Sequence, residues 1–200
     1  MMRKCVLAAV ALVLLAGGAA AAPINVVPYL SLAGSGLEDF ESVAAVPLPG
    51  TNHDAVIVLG GSSYAERFAG QTLGTSGTAD TLAGTPSGPL ALVAGAAGQN
   101  LVALSLGGGV GVTGLGPVGY PDDDANGEGA FSVLLDVDSA EFGIEILGSN
   151  AGSATLQFFR RDGSLIDVVV LAGLTDGLYG FSRELGTADI AGVSITNDDP

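Results

Sequence analysis

Between Asp122 and Glu128 the sequence sets hard oxygen donors on alternate residues: Asp122, Asp124, Asn126 and Glu128, with Gly127 between the last two. The first six positions fit the opening D-x-[DN]-x-[DN]-G of a calcium loop, in which alternate side chains converge on one cation and the glycine makes the sharp turn. The twelfth position is Val133, where an EF-hand needs glutamate, and strand-forming residues follow where that motif needs a helix. An EF-hand is thereby excluded. A simpler calcium loop and an exposed acidic turn both fit what is left.

Carboxylates also recur in pairs. Asp136 and Asp138 share one face of a strand, as do Glu141 and Glu145, and glycoside hydrolysis needs two acids across the scissile bond. A solvated strand face gives the same pattern, and with 21 acids in the chain such pairs arise by chance. Other chemistries are poorly supplied. There is no G-x-S-x-G, His53 is the only histidine, and Cys5 is the only cysteine, so neither a nucleophile elbow nor a multi-histidine zinc site can be assembled. Gly109 to Gly114 matches G-x-G-x-x-G, but Leu115-Gly116-Pro117 cannot open the helix a pyrophosphate requires; a plain glycine loop is expected. Tryptophan, the usual sugar platform, is absent, which leaves Tyr29, Tyr64, Tyr120 and Tyr179 as partial substitutes.

The elements that must carry these residues read as short strands. Thr155 to Arg160 and Leu165 to Leu171 are β-branched and aromatic runs flanking Arg161-Asp162-Gly163-Ser164, where Asp-Gly predicts a type I′ hairpin. Leu178 to Ser182 and Ile190 to Thr196 follow. Upstream, strands are expected at Leu37 to Val43, Ala55 to Leu59, Tyr64 to Phe68, Leu90 to Val93, Leu101 to Leu106, Phe131 to Val137 and Phe142 to Leu147. Gly70 to Gly88 has no periodicity and is expected to be a long surface loop. About ten strands with no amphipathic helix between them predict an all-β, antiparallel two-sheet sandwich of jelly-roll type. No repeat at a fixed period is visible, which argues against a solenoid or propeller.

The N-terminus has the design of an export signal. Arg3 and Lys4 precede the apolar run Cys5 to Ala16, and small residues follow at once, with cleavage expected after Ala21. Residues 1–21 are thus expected to be removed, 22–36 to form an opening strand or a mobile lead-in, and 37–200 to form the sandwich. Removal leaves 6 − 2 = 4 basic residues against 21 acids, a net charge near 4 − 21 = −17, with no cysteine for a disulfide and no membrane span. Such a charge repels phosphate, so nucleic acid is not an expected partner.

Several segments carry a specific resemblance: Tyr64 to Leu73 (YAERFAGQTL), Glu128-Gly129-Ala130, Phe158 to Asp167 (FFRRDGSLID), Tyr179 to Arg183, Asp189 to Val193 and Asn197 to Pro200. Together they resemble secreted bacterial β-rich proteins of the PEP-CTERM-associated, exopolysaccharide- and exosortase-linked type. The resemblance implies export from a Gram-negative cell, a surface or matrix role and a jelly roll like that of carbohydrate-binding modules. It also implies a second calcium site, in which Glu41, after Phe40, meets Asp198 or Asp199 near the chain's end. Relatives continue past Asn-Asp-Asp-Pro with Gly-Gly, a closing acidic strand and, in some, the sorting signal. The present sequence carries none of these, so the expectation is either a truncated closing strand or a member without an anchor. The functional expectation is a non-catalytic secreted surface or extracellular-matrix protein, glycan-associated and calcium-stabilised, with extracellular polysaccharide or cell-surface components as partners. The alternative is a glycan-active hydrolase using paired carboxylates.

Overall fold

The computed structural model describes residues 23–148 and 151–198; the expected signal peptide and Asp199 lie outside them. The described chain is all-β, with two single 3-10 turns at Tyr29–Ser31 and Asp123–Ala125. Its strands are β1 (Ile24–Pro28), β2 (Thr51–His53), β3 (Ile57–Val58), β4 (Ser62–Ala65), β5 (Arg67–Phe68), β6 (Thr72–Ser76), β7 (Ala79–Ala83), β8 (Leu92–Val93) and β9 (Leu101–Ser105). Then come β10 (Val110–Leu115), β11 (Asn126–Gly129), β12 (Phe131–Ser139), β13 (Glu141–Ile146), β14 (Ser153–Phe159), β15 (Leu165–Ala172), β16 (Gly177–Arg183) and β17 (Ile190–Asn197). No helix among the described residues is long and apolar enough to cross a membrane.

The strands form several antiparallel sheets, consistent with the expected sandwich. The largest has six strands in the order β15-β14-β17-β12-β4-β3; others are β1-β16-β13 and β11-β10-β9-β2, with β5-β8 and β6-β7 as two-stranded pairs. Pairing register sets the faces. Phe158, Val193, Val133, Tyr64 and Ile57 are cross-strand neighbours in one row of the six-stranded sheet. One core cluster joins this face, through Phe158 and Val193, to Ile24 and Phe181 of the three-stranded sheet. A second joins Val133 and Tyr64 to Leu101 of the four-stranded one. Rings meet across these clusters, as in Phe158 against Phe181 with centroids 5.4 Å apart.

The opposite face carries the alternate row, Gln157, Ser194, Ser132 and Ala65, and it too is covered. Phe68 and Leu90 pack on Phe159 and Ala191 in a third cluster. A side chain at Gly192 would meet Phe68 at 2.5 Å, so glycine there is what lets the covering chain sit down on the sheet.

The structure corrects several sequence expectations. Gly70 to Gly88 is not simply a surface loop: it contains the β6-β7 hairpin, whose Gln71, Ala79 and Asp80 are buried. Gly77, with φ +64, takes the first of two loop positions, as a type II′ turn requires. Of Gly109 to Gly114, all but Gly109 lie in strand β10 rather than in a plain loop. Its glycine permits close backbone approach, since a Cβ at Gly114 would lie 2.5 Å from the carbonyl carbon of Gly129. Leu37 to Val43 forms no strand, because Glu38 and Asp39 accept hydrogen bonds from the amides of Phe40 and Glu41, and Phe40 adopts φ +58. Such local bonds compete with a ladder. Tyr64 to Phe68 is broken at Glu66 between β4 and β5.

The β14-β15 hairpin is where the sequence puts it, but its turn is not type I′. Only Gly163 has positive φ, Gly163 N donates to Arg160 O, and Arg160 N donates to Ser164 O. This is a type I turn closed by a glycine bulge. Ile24–Pro28 is an opening strand, paired along its length with β16, so the folded unit includes residues ahead of Leu37.

Candidate functional site

The break at Glu66 builds the most developed polar site. The Glu66 amide donates to Asn100 Oδ1 at 3.0 Å, and Gly95 N donates to the same oxygen at 3.1 Å. Asn100, with no exposed surface, donates its Nδ2 to the carbonyls of His53 and Ala55 at 2.6 and 3.1 Å. One buried amide thus ties the β4-β5 junction to the chain after β2. The Glu66 side chain, 2% exposed, receives a hydrogen bond from the Arg67 guanidinium. Buried carboxylates persist where a cation pairs with them, and Arg67 fills that role. The fit around Glu66 is tight, because a Cβ on Gly95 would lie 2.4 Å from its Oε1.

Gln71 holds the next part. Its Oε1 accepts from Phe68 N and from Ser194 Oγ, both at 3.0 Å, and its Nε2 donates to Gln157 Oε1 at 3.1 Å. Ser194 and Ser132 exchange a hydroxyl hydrogen bond at 2.9 Å. The covering segment is therefore fastened to the six-stranded sheet by side-chain polar groups.

Glu66, Arg67 and Gln71 lie along an open cleft of about 430 Å³, which Thr72, Gln99, Leu73 and Ala96 also line, the last two as apolar wall. Gln99 is oriented by donating its Nε2 to Pro117 O at 3.0 Å, and the adjoining Gly98 carbonyl accepts from Tyr120 N at 2.8 Å. Tyr120 is the most exposed of the four tyrosines, at 37%. Among the described residues, Glu66 is the only carboxylate on the cleft wall. Asp80 lies near but off it, buried, and accepts from Ala130 N at 3.1 Å. Burial pushes its carboxyl above the usual range, against the opposing pull of that amide and of Arg67.

A second hollow of similar volume is lined by Asn52, His53, Asp54 and the Ser42-Val43-Ala44 segment. His53 Nε2 lies 3.1 Å from Ala44 O. Asp54 is held below its ordinary pKa by the Gly98 amide and by Asn52. Asn52 Oδ1 is buried with no partner.

The residues singled out in the sequence are spread over separate tasks. Asp122 caps the short 3-10 turn, accepting from Asp124 N at 3.1 Å, and the Asp124 side chain is exposed. Asn126 starts β11 and points Nδ2 at Pro49 O, at 3.5 Å, with its Oδ1 buried and unpartnered. Glu128 accepts from Thr78 Oγ1 at 3.3 Å. Glu41 accepts from Val110 N at 3.2 Å, whereas Asp198 accepts from Ser153 Oγ at 2.8 Å, so the two serve different strands. Among the described residues no three acidic, histidine or cysteine side chains are grouped as a metal would need. Of the paired acids, Asp138 is bound to Arg161 at 2.6 Å, Glu141 accepts from the amides of Ala33 and Gly34, and Asp136 and Glu145 face solvent.

Comparison with protein-family models, with curated proteins and with solved structures finds no match to this chain.

Sequence reasoning assigned no role to Glu66, Gln71 or Asn100. Glu66 and Gln71 stand inside the YAERFAGQTL segment, whose charged and amide residues interrupt an otherwise apolar, glycine-containing run. That interruption was the available signal. Asn100 had none, since nothing local shows that it bonds to three separate stretches of backbone.

Proposed function

We propose that this chain is a non-catalytic, exported surface or matrix protein that associates with extracellular polysaccharide, its sheets arranged as a jelly roll of the carbohydrate-binding-module kind. One observation carries the reading: among the described residues the cleft wall holds a single carboxylate, Glu66, which is buried and already paired with Arg67. Glycoside hydrolysis requires two carboxyl groups roughly 5 to 10 Å apart across the bond, one to protonate and one to attack or activate water. In each acid pair on β12 and β13 one member is already engaged, Asp138 by Arg161 and Glu141 by the amides of Ala33 and Gly34, which favours holding over cutting. A polar cleft with an apolar wall suits hydroxyl-rich chains that are held rather than cut. The export signal and the resemblance to exopolysaccharide-linked proteins support the same setting.

The test is retention against turnover. Purified protein is expected to be retarded in gels containing polysaccharide and to release no reducing ends from it. Reducing ends released by the wild type and lost in Glu66→Gln or Asp136→Asn would establish the hydrolase instead.

A further inference from the structure

The charges around the cleft narrow the class of polysaccharide. Four arginines stand among the described residues, and every one is committed to a carboxylate: Arg67 to Glu66, Arg160 and Arg183 to Asp189 at 2.9 and 2.7 Å, and Arg161 to Asp138 at 2.6 Å. The chain holds 21 acids, and its lysine, Lys4, stands in the expected signal. A uronate or sulfated chain would thus meet a negative surface with no uncommitted guanidinium to receive its anions, and bidentate arginine is the usual device for that purpose. A polyamine chain would be attracted anywhere on such a surface, with no need of a shaped cleft. The cleft itself is close to neutral, since Glu66 and Arg67 cancel. The Glu66 carboxylate and the Gln71 amide are buried and already bonded within the protein, so the polar groups left to a ligand are those of Gln99, Thr72 and the partly exposed Arg67. An amide, a hydroxyl and a neutralised ion pair match hydroxyl groups, which donate and accept at once.

We propose, building on the reading above, that the Glu66-Arg67-Gln71-Gln99 cleft takes neutral hexose polymers and discriminates against uronate chains. Gln99 reaches the cleft from the 98–99 turn and Leu73 from the exposed strand β6, so each can be changed without touching the buried network beneath.

Isothermal titration of the purified protein with oligomers of neutral glucan, galactan and mannan, of polyuronate and of polyglucosamine tests this. A neutral oligomer is expected to bind saturably, with affinity changing less than about twofold between about 0.05 and about 0.5 M salt, because an uncharged ligand has no ion pairs to screen. Gln99→Ala and Leu73→Asp are each expected to weaken it by roughly five- to tenfold at unchanged melting temperature. Equal or tighter binding of the uronate, binding only of the glucosamine polymer, or neutral binding indifferent to both substitutions overturns the inference and leaves glycan association standing. If none of the oligomers binds, the proposed function falls with it.

Discussion

At the residue scale, the same kind of ion pair carries very different weight according to burial. Asp189 receives Arg160 Nε at 2.9 Å and Arg183 Nε at 2.7 Å, and the Arg183 side chain is only 3% exposed. Asp189→Asn would leave a buried guanidinium without its counter-ion and should lower stability by about 2–4 kcal/mol in urea unfolding, near the range for breaking buried pairs. Asp138→Asn, whose pair with Arg161 is 37% exposed at both ends, should cost about 0–1 kcal/mol. Comparable losses for the two would contradict this ranking. Asp80 behaves oppositely to a paired acid. Its folded carboxyl titrates above the ordinary value because burial disfavours the charge, so in that window the folded state holds more protons than the unfolded one. Its contribution to stability therefore rises as pH falls through the folded pKa and is lost as pH rises. Asp80→Asn keeps an oxygen for Ala130 N and removes the charge, so at pH 7 it should melt no lower than wild type, with any advantage shrinking toward pH 4. A mutant clearly less stable at pH 7 would show that attraction to Arg67 outweighs desolvation.

At the element scale, the β6-β7 hairpin is the least self-sufficient part of the fold. Every residue of β6 is exposed, and an isolated two-stranded hairpin is marginal in water. It stays down because Gln71, Asp80 and Ala79 are buried beneath it. Gln71→Ala strands Phe68 N and Ser194 Oγ without their acceptor and should destabilise the protein by about 2–4 kcal/mol. Hydrogen exchange should show the loss first in the amides of Thr72 to Ala83, ahead of β14 and β17; uniform acceleration would mean that the hairpin does not open as a unit. The same hairpin shows where sequence reading stops. Runs such as LIDVVVL and IAGVSIT declare themselves because side-chain type and period agree, and both are strands. TLGTS and ADTLA lack such a pattern; they are held in place because Gln71, just ahead of TLGTS, bonds to Gln157 and Ser194 of the sheet beneath and Asp80 of ADTLA accepts from Ala130 N. The candidate site was less legible still. Glu66 reads as a surface charge, and only the tertiary positions of Asn100 and Gly95 make it a buried one.

At the scale of the whole molecule, charge is the dominant stress. A chain of formal net charge −15 with a single cysteine repels itself, and screening alone should relieve part of that. The sequence offers calcium as the remedy, at the Asp122 to Glu128 loop or between Glu41 and Asp198. In the fold these side chains instead cap the 3-10 turn, meet Thr78, or serve the separate strands led by Val110 and Ser153, and Asp124 faces solvent. Screening is expected to raise the melting temperature with ionic strength in calcium chloride and sodium chloride alike. A built site would behave differently. Calcium at about 100 times its dissociation constant would add about 2.7 kcal/mol, several degrees for a chain of this size, and would saturate. Melting curves in matched salts, with and without chelator, separate the two. A saturable rise specific to calcium and abolished by Asp124→Ala would mean that the loop gathers its oxygens only around the ion, and the screening account would fall.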